Sequence, residues 1–265
     1  MFKSTDKKSK FDTKKIYDAI IALGSEKGKK AHFTNNGNIK LGKTMGVWSI
    51  LKGNEGVYVE SWNQYVQGTC GDNCKYCTKE CYVNKSYNMR PSVILGHARN
   101  TLQIRYNLEQ CEKDLDKQIT RKRVPYKIIR INQSGEIENA EQLQMWCSLA
   151  KKHPEVEFYL YTKAFNIVVP KLEKKEVPEN LTILFSVWHE CGIDEYNKVK
   201  DLPNVKAFVY DDRTYNYKDE KDLEINTYCM AYKENGKMDH NITCEKCKKC
   251  FNRNTGHKVI GCYSH

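Results

Sequence analysis

Strand-like segments recur at a regular spacing in the second half of this chain, and that spacing constrains the fold more than any other feature. The apolar runs begin near residues 126, 156, 181 and 205, with helix-like segments at 139–152 and 193–200. Parallel strands need a crossover of about a dozen residues or more, and a helix usually supplies it. The spacing therefore predicts βαβ units and an α/β fold, in which a parallel sheet curls into a partial or full (β/α) barrel.

Charge and composition divide the chain into three parts. Residues 1–56 form a basic N-terminal extension with a helix-like segment at 11–23, residues 57–225 hold the barrel-like core, and residues 226–265 form a Cys-rich tail. The net charge is +11, and residues 1–45 contain eleven Lys against four acidic residues. A basic arm of this kind predicts DNA or RNA as a partner. The alternative is a solvated leader that binds nothing.

Signals for export or membrane anchoring are not found in the sequence. The apolar runs are far shorter than the roughly 20 residues of a membrane-spanning helix, and the N-terminus has no apolar signal core. We therefore expect no membrane partner and a cytoplasmic location. Twelve cysteines in such a chain are expected to be reduced metal ligands, because the cytosol keeps thiols reduced.

A cysteine loop carries the strongest chemical signal. Cys70, Cys74 and Cys77 form a CxxxCxxC run, in which Tyr76 precedes the last cysteine. Three thiolates can hold three irons of a [4Fe-4S] cluster and leave the fourth iron open, with Tyr76 packed beside the cofactor. Cys81 is near enough in sequence to supply a fourth ligand, which would close the site. The alternative for the same thiolates is a structural zinc site.

The tail contains a second group of cysteines. Cys229, Cys244, Cys247 and Cys250 form a C-x14-C-x2-C-x2-C pattern. Two-residue spacers let a tight backbone turn aim neighbouring thiolates at one ion or cluster, so this pattern predicts a metal-binding tail. Four thiolates suit zinc and a fully ligated [4Fe-4S] cluster equally well.

Polar residues follow the apolar strands, where the carboxyl ends of barrel strands form the active face. They are Ser134-Gly135-Glu136, Tyr161-Thr162-Lys163, Trp188-His189-Glu190 and Asp211-Asp212-Arg213. We expect cofactor and substrate contacts among these residues, with Glu136 as the leading binding candidate. The alternative for Glu136 is a solvent-exposed turn carboxylate.

The order of these features resembles the radical S-adenosylmethionine superfamily. The shared features are the CxxxCxxC loop, the βα alternation and Ser134-Gly135-Glu136 after the next clear strand, within residues 57–212. The superfamily has Gly-Gly-Glu at this place and uses it to contact the methionine amino group, and here Ser134 replaces the first Gly. The resemblance implies that Cys70, Cys74 and Cys77 ligate the cluster, and that the Ser134-Gly135-Glu136 segment helps to hold S-adenosylmethionine.

A second resemblance covers more of the chain. The segments that carry it are Cys77-x3-Cys81-Tyr82, Arg99-Asn100, Arg130-x3-Ser134-Gly135-Glu136, Tyr161-Thr162-Lys163, Ser186-Val187-Trp188 and the terminal cysteines. They are similar to a phage and plasmid family named after a mycobacteriophage gene product numbered eighty-eight. This resemblance implies a mobile-element origin, and hence the host cytoplasm as the location of a phage-encoded protein.

Three classes of function follow. The leading hypothesis is a radical S-adenosylmethionine enzyme that modifies a nucleic acid or nucleotide and takes electrons from a donor protein. The second is a zinc-stapled barrel similar in outline to tRNA-guanine transglycosylases, with Asp211, Asp212 or Glu136 as the nucleophile. The third is a non-enzymatic, zinc-containing nucleic-acid-binding protein of a phage or plasmid.

Overall fold

The computed structural model describes most of the chain after residue 44. The described residues are 2–4, 30–33, 44–54, 56–59, 64–77, 81, 83–89, 91–120, 125–188, 191–213, 217, 223–235, 237, 239 and 241–263, without the side chains of residues 2–4, 64, 73, 74, 76, 85, 88, 89, 91 and 92. The helix predicted at 11–23 lies outside this set. Within the described residues, no helix is both long and apolar enough to cross a membrane.

The described strands form two sheets. In chain order they are β1 (Phe2–Ser4), β2 (Met45–Val47), β3 (Gly56–Val59), β4 (Gln64–Gln67), β5 (Ile128–Ile131), β6 (Glu157–Thr162), β7 (Leu181–Val187), β8 (Val205–Asp211), β9 (Thr227–Tyr228) and β10 (Val259–Tyr263). One sheet is antiparallel with the order β1-β3-β4. The other has seven strands in the order β2-β5-β6-β7-β8-β10-β9, and every neighbouring pair is parallel.

Helices connect most of the parallel strands. They are α1 (Val83–Met89), α2 (Pro91–Tyr106), α3 (Leu108–Ile119), α4 (Ala140–Lys152), α5 (Phe165–Glu173), α6 (Ile193–Val199) and the single turn α7 (Cys244–Cys247). Gly71–Tyr76 and Arg253–Thr255 form 3-10 helices. The helices predicted at 139–152 and 193–200 are confirmed to within one residue at each end.

The chain forms two compact units. The first unit comprises Met1–Thr34, Trp48–Pro125 and Asn132–Met145, and the second comprises Asn35–Val47, Tyr126–Ile131 and Trp146–His265. The antiparallel sheet belongs to the first unit and the parallel sheet to the second. The predicted division at residues 56 and 225 follows composition, and it stays a prediction.

The parallel sheet of the second unit confirms the α/β prediction. β5, β6, β7 and β8 occur at the predicted places, and each new strand is added beside the preceding one. This order results when every crossover helix lies on the same face of the sheet, as in a barrel. Closure of the sheet into a barrel is not confirmed, because β2 pairs only with β5 and β9 pairs only with β10 among the described strands.

The two faces of the parallel sheet differ in chemistry. Side chains alternate between faces along a strand, so the register assigns each residue to one of them. One face is fully buried and apolar at Leu160, Ile183, Phe185 and Ala207. Phe165 of α5 and Tyr196 of α6 pack against Phe185 on this face. The opposite face carries polar and aromatic residues near the carboxyl ends of its strands, and these are only partly buried.

The tail is part of the parallel sheet. Sequence analysis placed no strand in residues 226–265, yet β10 pairs with β8 over five residues and β9 pairs with β10. Phe251 of the tail packs into an apolar cluster with Tyr159, Leu184 and Ile260 from the sheet. The Cys-rich segment therefore shares the core of the second unit.

The first unit has its own apolar core. Leu51, Val59 and Val66 pack there with Ala98 and Leu102 of α2. The Leu51 N–H donates to Thr101 Oγ1 at 2.8 Å, and Thr101 Oγ1 donates to the His97 carbonyl at 2.8 Å. These bonds tie the segment before the cysteine loop to α2, because a buried N–H needs a partner.

Candidate metal and cofactor sites

The cysteine loop of the first unit begins on a backbone pairing. Cys70 N–H donates to the Gly53 carbonyl at 3.0 Å, and Gly53 N–H donates to Cys70 Sγ at 3.1 Å. The chain then enters the 3-10 helix Gly71–Tyr76 through Gly71, whose φ of 53° suits glycine. The Cys70 thiol is therefore held at the start of the loop, and an N–H donor to sulfur stabilises its thiolate form.

The Ser134-Gly135-Glu136 turn lies against the start of this loop. Gln133 N–H donates to the Trp48 carbonyl and Ile50 N–H donates to the Ser134 carbonyl, each at 3.0 Å. Glu136 N–H donates at 2.9 Å to the hydroxyl of Thr69, the residue before Cys70. The structure thus brings together the cysteine loop and the turn that sequence analysis selected for cofactor binding.

Gly135 permits this close approach. Its φ is +81°, and a Cβ on it would lie 2.5 Å from Thr69 Oγ1 and 3.0 Å from the Ile50 carbonyl oxygen. The first contact is far shorter than van der Waals distance, the second is tight, and L-residues rarely adopt this φ. Glycine is therefore required by the conformation and by the packing of the turn.

Glu136 is a buried residue, so the alternative of a solvent-exposed carboxylate is wrong. It is 7% exposed, and its Oε1 accepts a hydrogen bond from the Ile137 N–H at 2.9 Å. Burial of a carboxylate is costly unless hydrogen bonds satisfy it. This bond holds the carboxylate against the backbone of the next residue, while the Glu136 N–H bonds the residue before Cys70.

Tyr87 on α1 connects the loop to α2. Its hydroxyl lies 2.9 Å from His97 Nδ1 and accepts a hydrogen bond from the Lys52 N–H at 3.3 Å. Burial raises the pKa of Tyr87, and the charges of Cys70 and Cys81 raise this pKa further. Both cysteines therefore lie within electrostatic reach of one hydroxyl. Sequence reasoning missed Tyr87, because a single aromatic residue after a cysteine loop carries no distinctive pattern.

His97 is buried behind Tyr87 and is neutral at physiological pH. Burial lowers its pKa to about 4. The Tyr87 oxygen already accepts from Lys52, so we infer that the Tyr87 hydroxyl donates to His97 Nδ1 and leaves the proton of the imidazole on Nε2. His97 Nε2 is buried and has no hydrogen-bond partner among the described residues.

A second buried polar atom lies in the turn. Ser134 Oγ is near enough to Tyr87 to lower the pKa of that hydroxyl, but no described group meets hydrogen-bond geometry with it. Asn132, two residues earlier, has a left-handed φ of 52°, and neither polar atom of its buried side chain is hydrogen-bonded within the described chain. Buried polar atoms of this kind are uncommon, and strained backbone often occurs at ligand sites.

The other predicted ligands of the loop are only partly described. Cys77 and Cys81 are half-buried, and the side chains of Cys74 and Tyr76 lie outside the described residues. No disulfide joins any cysteine whose side chain is described. Among the described residues, no three His, Cys, Asp or Glu side chains stand in an arrangement ready to hold a metal ion.

The four predicted ligands of the tail lie near one another in the second unit. Burial raises the pKa of Cys250 to about 12, and the charges of Cys229, Cys244 and Cys247 contribute to this increase. Thr243 caps the turn α7, since its hydroxyl accepts from the Lys246 N–H at 3.2 Å. Cys244 and Cys250 also pack against the core of the sheet. The thiols are close enough to interact electrostatically, although they do not form a ready metal geometry.

Lys206 joins this cysteine group to the sheet. It is 1% exposed on β8, and its Nζ donates to the carbonyls of Lys249 and Asn252 at 2.7 and 2.8 Å. Burial lowers its pKa to about 8, while the charge of Cys250 acts in the opposite direction. The Lys206 ammonium and the Cys250 thiol therefore lie within electrostatic reach of each other.

Asp211, one of the three carboxylates proposed as an alternative nucleophile, is already engaged. Asp211 Oδ2 accepts from the Tyr228 hydroxyl at 2.7 Å, and Asp211 Oδ1 accepts from the Arg213 N–H at 2.9 Å. Both oxygens of Asp211 thus hold the end of β8 in place. His189 and Glu190, which follow Trp188, lie outside the described residues.

Comparison with known proteins identifies one match. The family model described as Gene product 88 matches residues 24–253, which is most of the chain. No curated protein and no solved structure matches.

Proposed function

The chain belongs to the Gene product 88 family, and we propose that it is an iron–sulfur enzyme of the radical S-adenosylmethionine type that acts on a nucleic acid or nucleotide. One observation carries this proposal. The hydrogen bond from Glu136 N–H to Thr69 Oγ1 holds the Ser134-Gly135-Glu136 turn beside Cys70. An enzyme of this type needs a three-cysteine loop and a cofactor-binding turn at one place.

Cys70, Cys74 and Cys77 are the proposed cluster ligands. The fit is supported by the half-buried thiols of Cys70 and Cys77 and by the N–H that Gly53 directs at Cys70 Sγ. Cys70 and Cys81 both lie within electrostatic reach of the Tyr87 hydroxyl. In this proposal Cys81 is not a ligand, because a fourth thiolate would occupy the open position on the fourth iron.

Ser134, Gly135 and Glu136 are proposed to hold S-adenosylmethionine, and Tyr76 to pack beside the cluster. When bound, cluster and cofactor supply reductive cleavage of a sulfur–carbon bond, which starts hydrogen abstraction from the substrate. Glu136 offers a fixed carboxylate for an ammonium group, and the unpartnered Ser134 Oγ offers a further polar contact. The one electron that cleavage consumes requires a separate electron donor protein.

The tail is proposed to hold a closed Cys₄ site, either zinc or a second [4Fe-4S] cluster. The mutual interaction of its four thiols and the adjacent Lys206 ammonium support this assignment. A closed site leaves no position for substrate, so its role is to fix the tail.

Purification without oxygen tests the proposal through iron, sulfide and zinc content. We expect iron and sulfide in stoichiometric amounts, together with formation of 5′-deoxyadenosine after reduction in the presence of S-adenosylmethionine. Cys77→Ala should lose the iron of the loop. Glu136→Gln should keep the iron but slow cofactor cleavage about tenfold or more, since it removes a charged hydrogen-bond partner. Glu141→Gln, an exposed change on α4, is the matched control.

Two results would overturn the proposal. Trace iron with stoichiometric zinc would remove the cluster. Loss of iron in Cys81→Ala to the same extent as in Cys77→Ala would show a closed four-cysteine site, which leaves no iron for the cofactor.

A further inference from the structure

We propose that the partly exposed face of the parallel sheet binds a base of single-stranded nucleic acid by stacking and charge. The inference rests on the proposed function for its biological meaning, because it names the substrate class. The residues of the proposed surface all belong to the second unit, and the test needs no cofactor. The surface is called the aromatic–cation face. It consists of Arg130, Tyr161, Lys163, Ser186, Trp188 and Tyr210.

The strand register places these residues together. Tyr161 lies opposite Leu184, and Ser186 lies opposite Phe208, so alternate positions of β6, β7 and β8 share one face. On these strands the partly buried positions fall on this face near the carboxyl ends, while the residues between them are fully buried. The carboxyl ends of several neighbouring strands thus present side chains at one edge of the sheet, where Tyr161 and Phe208 also pack against the apolar cluster that contains Phe251.

One part of the face is an aromatic stack with a cation over it. The rings of Trp188 and Tyr210 are stacked with centroids 4.1 Å apart and an interplanar angle of 18°. Lys163 Nζ lies 5.4 Å from the Trp188 ring centroid and donates to Ser186 Oγ at 3.1 Å. The ammonium is therefore held above an aromatic platform.

A second cation lies on the same face. The Arg130 guanidinium carbon is 4.8 Å from the centroid of the Tyr161 ring, and that ring contacts Phe208 edge to face with centroids 4.9 Å apart. Glu157 also lies on this face by register, at the amino end of β6. Its Oε1 is 4.0 Å from Arg253 Nη2. Arg130 and Lys163 thus each place a cation over an aromatic ring of the aromatic–cation face.

This combination fits a nucleotide unit better than an uncharged ring. Aromatic side chains stack on any base, and Lys and Arg bind phosphate. The net charge of +11 favours a polyanion over a single nucleotide, because each further phosphate contact releases counterions. Single-stranded nucleic acid presents bases that are free to stack, which duplex DNA does not.

Binding of a fluorescein-labelled thymine or uracil oligonucleotide to the full-length protein tests the proposal by fluorescence anisotropy. No cofactor or reductant is added, so failure of the proposed function does not affect this readout. We expect Trp188→Leu and Lys163→Gln each to weaken binding about tenfold, in line with the loss of a stacked base or a phosphate contact. Trp188→Phe should restore most of the affinity. Lys198→Gln on α6 and Tyr58→Leu on β3 are matched controls that should bind like the parent chain.

Intrinsic fluorescence provides a second measurement. The chain has four tryptophans, of which Trp48 and Trp146 are fully buried. In a Trp62→Phe background, quenching of tryptophan emission by the oligonucleotide should therefore disappear when Trp188→Phe is added. The proposal is overturned if folded Trp188→Leu and Lys163→Gln bind as tightly as the controls. It is also overturned if a mononucleotide binds as tightly as the oligonucleotide, or if S-adenosylmethionine displaces the oligonucleotide from the face.

Discussion

At the scale of single residues, Gly135 shows how one backbone angle sets up the candidate cofactor site. Its positive φ turns the chain after β5 so that Glu136 N–H reaches Thr69 Oγ1. The same residue leaves room for the Ile50 carbonyl. Sequence analysis selected Gly135 by resemblance, but the reason for glycine here lies in residues far away in the chain.

Gly135→Ala should lower the free energy of unfolding by about 3 kcal/mol, because it adds both a strained φ and steric overlap with Thr69. Gly256→Ala is the control. Gly256 has a similar φ of +69°, but a Cβ added to it would have no heavy atom within 4 Å. It should cost only about 1 kcal/mol for the backbone conformation. Urea unfolding measures the free energy of unfolding of both variants. Equal decreases in Gly135→Ala and Gly256→Ala would contradict the contribution of steric overlap.

His97 makes the second prediction at this scale. Its pKa falls from the ordinary value of 6.5 to about 4 through burial. Between these values the unfolded chain binds a proton that the folded chain excludes, so stability decreases as the pH falls from about 6.5 toward 4. The full difference corresponds to roughly 3 kcal/mol at about 1.4 kcal/mol per pKa unit.

Urea unfolding between pH 7 and pH 4.5 measures this effect. The free energy of unfolding of His97→Gln should decrease less between pH 7 and pH 4.5 than that of the parent chain, whatever its value at pH 7. His257→Gln changes a partly exposed imidazole and serves as the control. Identical pH slopes for the parent and His97→Gln would contradict the assignment.

At the scale of secondary-structure elements, the tail depends on one strand residue. Lys206 of β8 donates to two carbonyls of the tail and to Thr255 Oγ1 at 3.3 Å. These bonds hold the segment between α7 and β10 against the sheet. The local sequence predicts β8 as an apolar strand, but it does not reveal that the Lys within it is buried.

Lys206→Met should lower the free energy of unfolding by about 2–3 kcal/mol, because two partly buried carbonyls lose their donor. It should also increase the rate of tryptic cleavage between residues 229 and 258. Lys198→Met replaces an exposed lysine of α6 and should change neither property. Unaltered proteolysis in Lys206→Met would show that other contacts hold the tail.

At the scale of the whole molecule, the two cysteine groups belong to different compact units. Cys70, Cys77 and Cys81 lie in the first unit, whereas the four cysteines of the tail lie in the second. Each group has its own buried neighbours, Tyr87 in one case and Lys206 in the other. We therefore expect two metal sites that fill independently.

Metal analysis of single variants checks this independence. Cys247→Ser should remove the metal of the tail and leave the visible absorption of the loop cluster unchanged, while Cys77→Ala should do the reverse. Cys191→Ser, which alters a cysteine outside both groups, should keep the full metal content. Loss of both metals in either variant would contradict independent sites.

The sequence revealed some strands and not others, for physical reasons. β5 to β8 were predicted because buried parallel strands are continuous apolar runs, which local sequence reveals. β10 was missed because Val259 and Ile260 make only a short apolar run within a polar, Cys-rich segment. Its place in the sheet depends on pairing with β8, more than 45 residues earlier.

The sequence by itself determined the presence of β5 to β8, the spacing of both cysteine groups and the polar turns after the strands, because these depend on neighbouring residues. Only the tertiary structure decided which of these features meet. The bond between Glu136 and Thr69 joins residues 67 positions apart, and the aromatic–cation face combines side chains of four strands. Such contacts depend on how distant segments pack, and no local pattern encodes that packing.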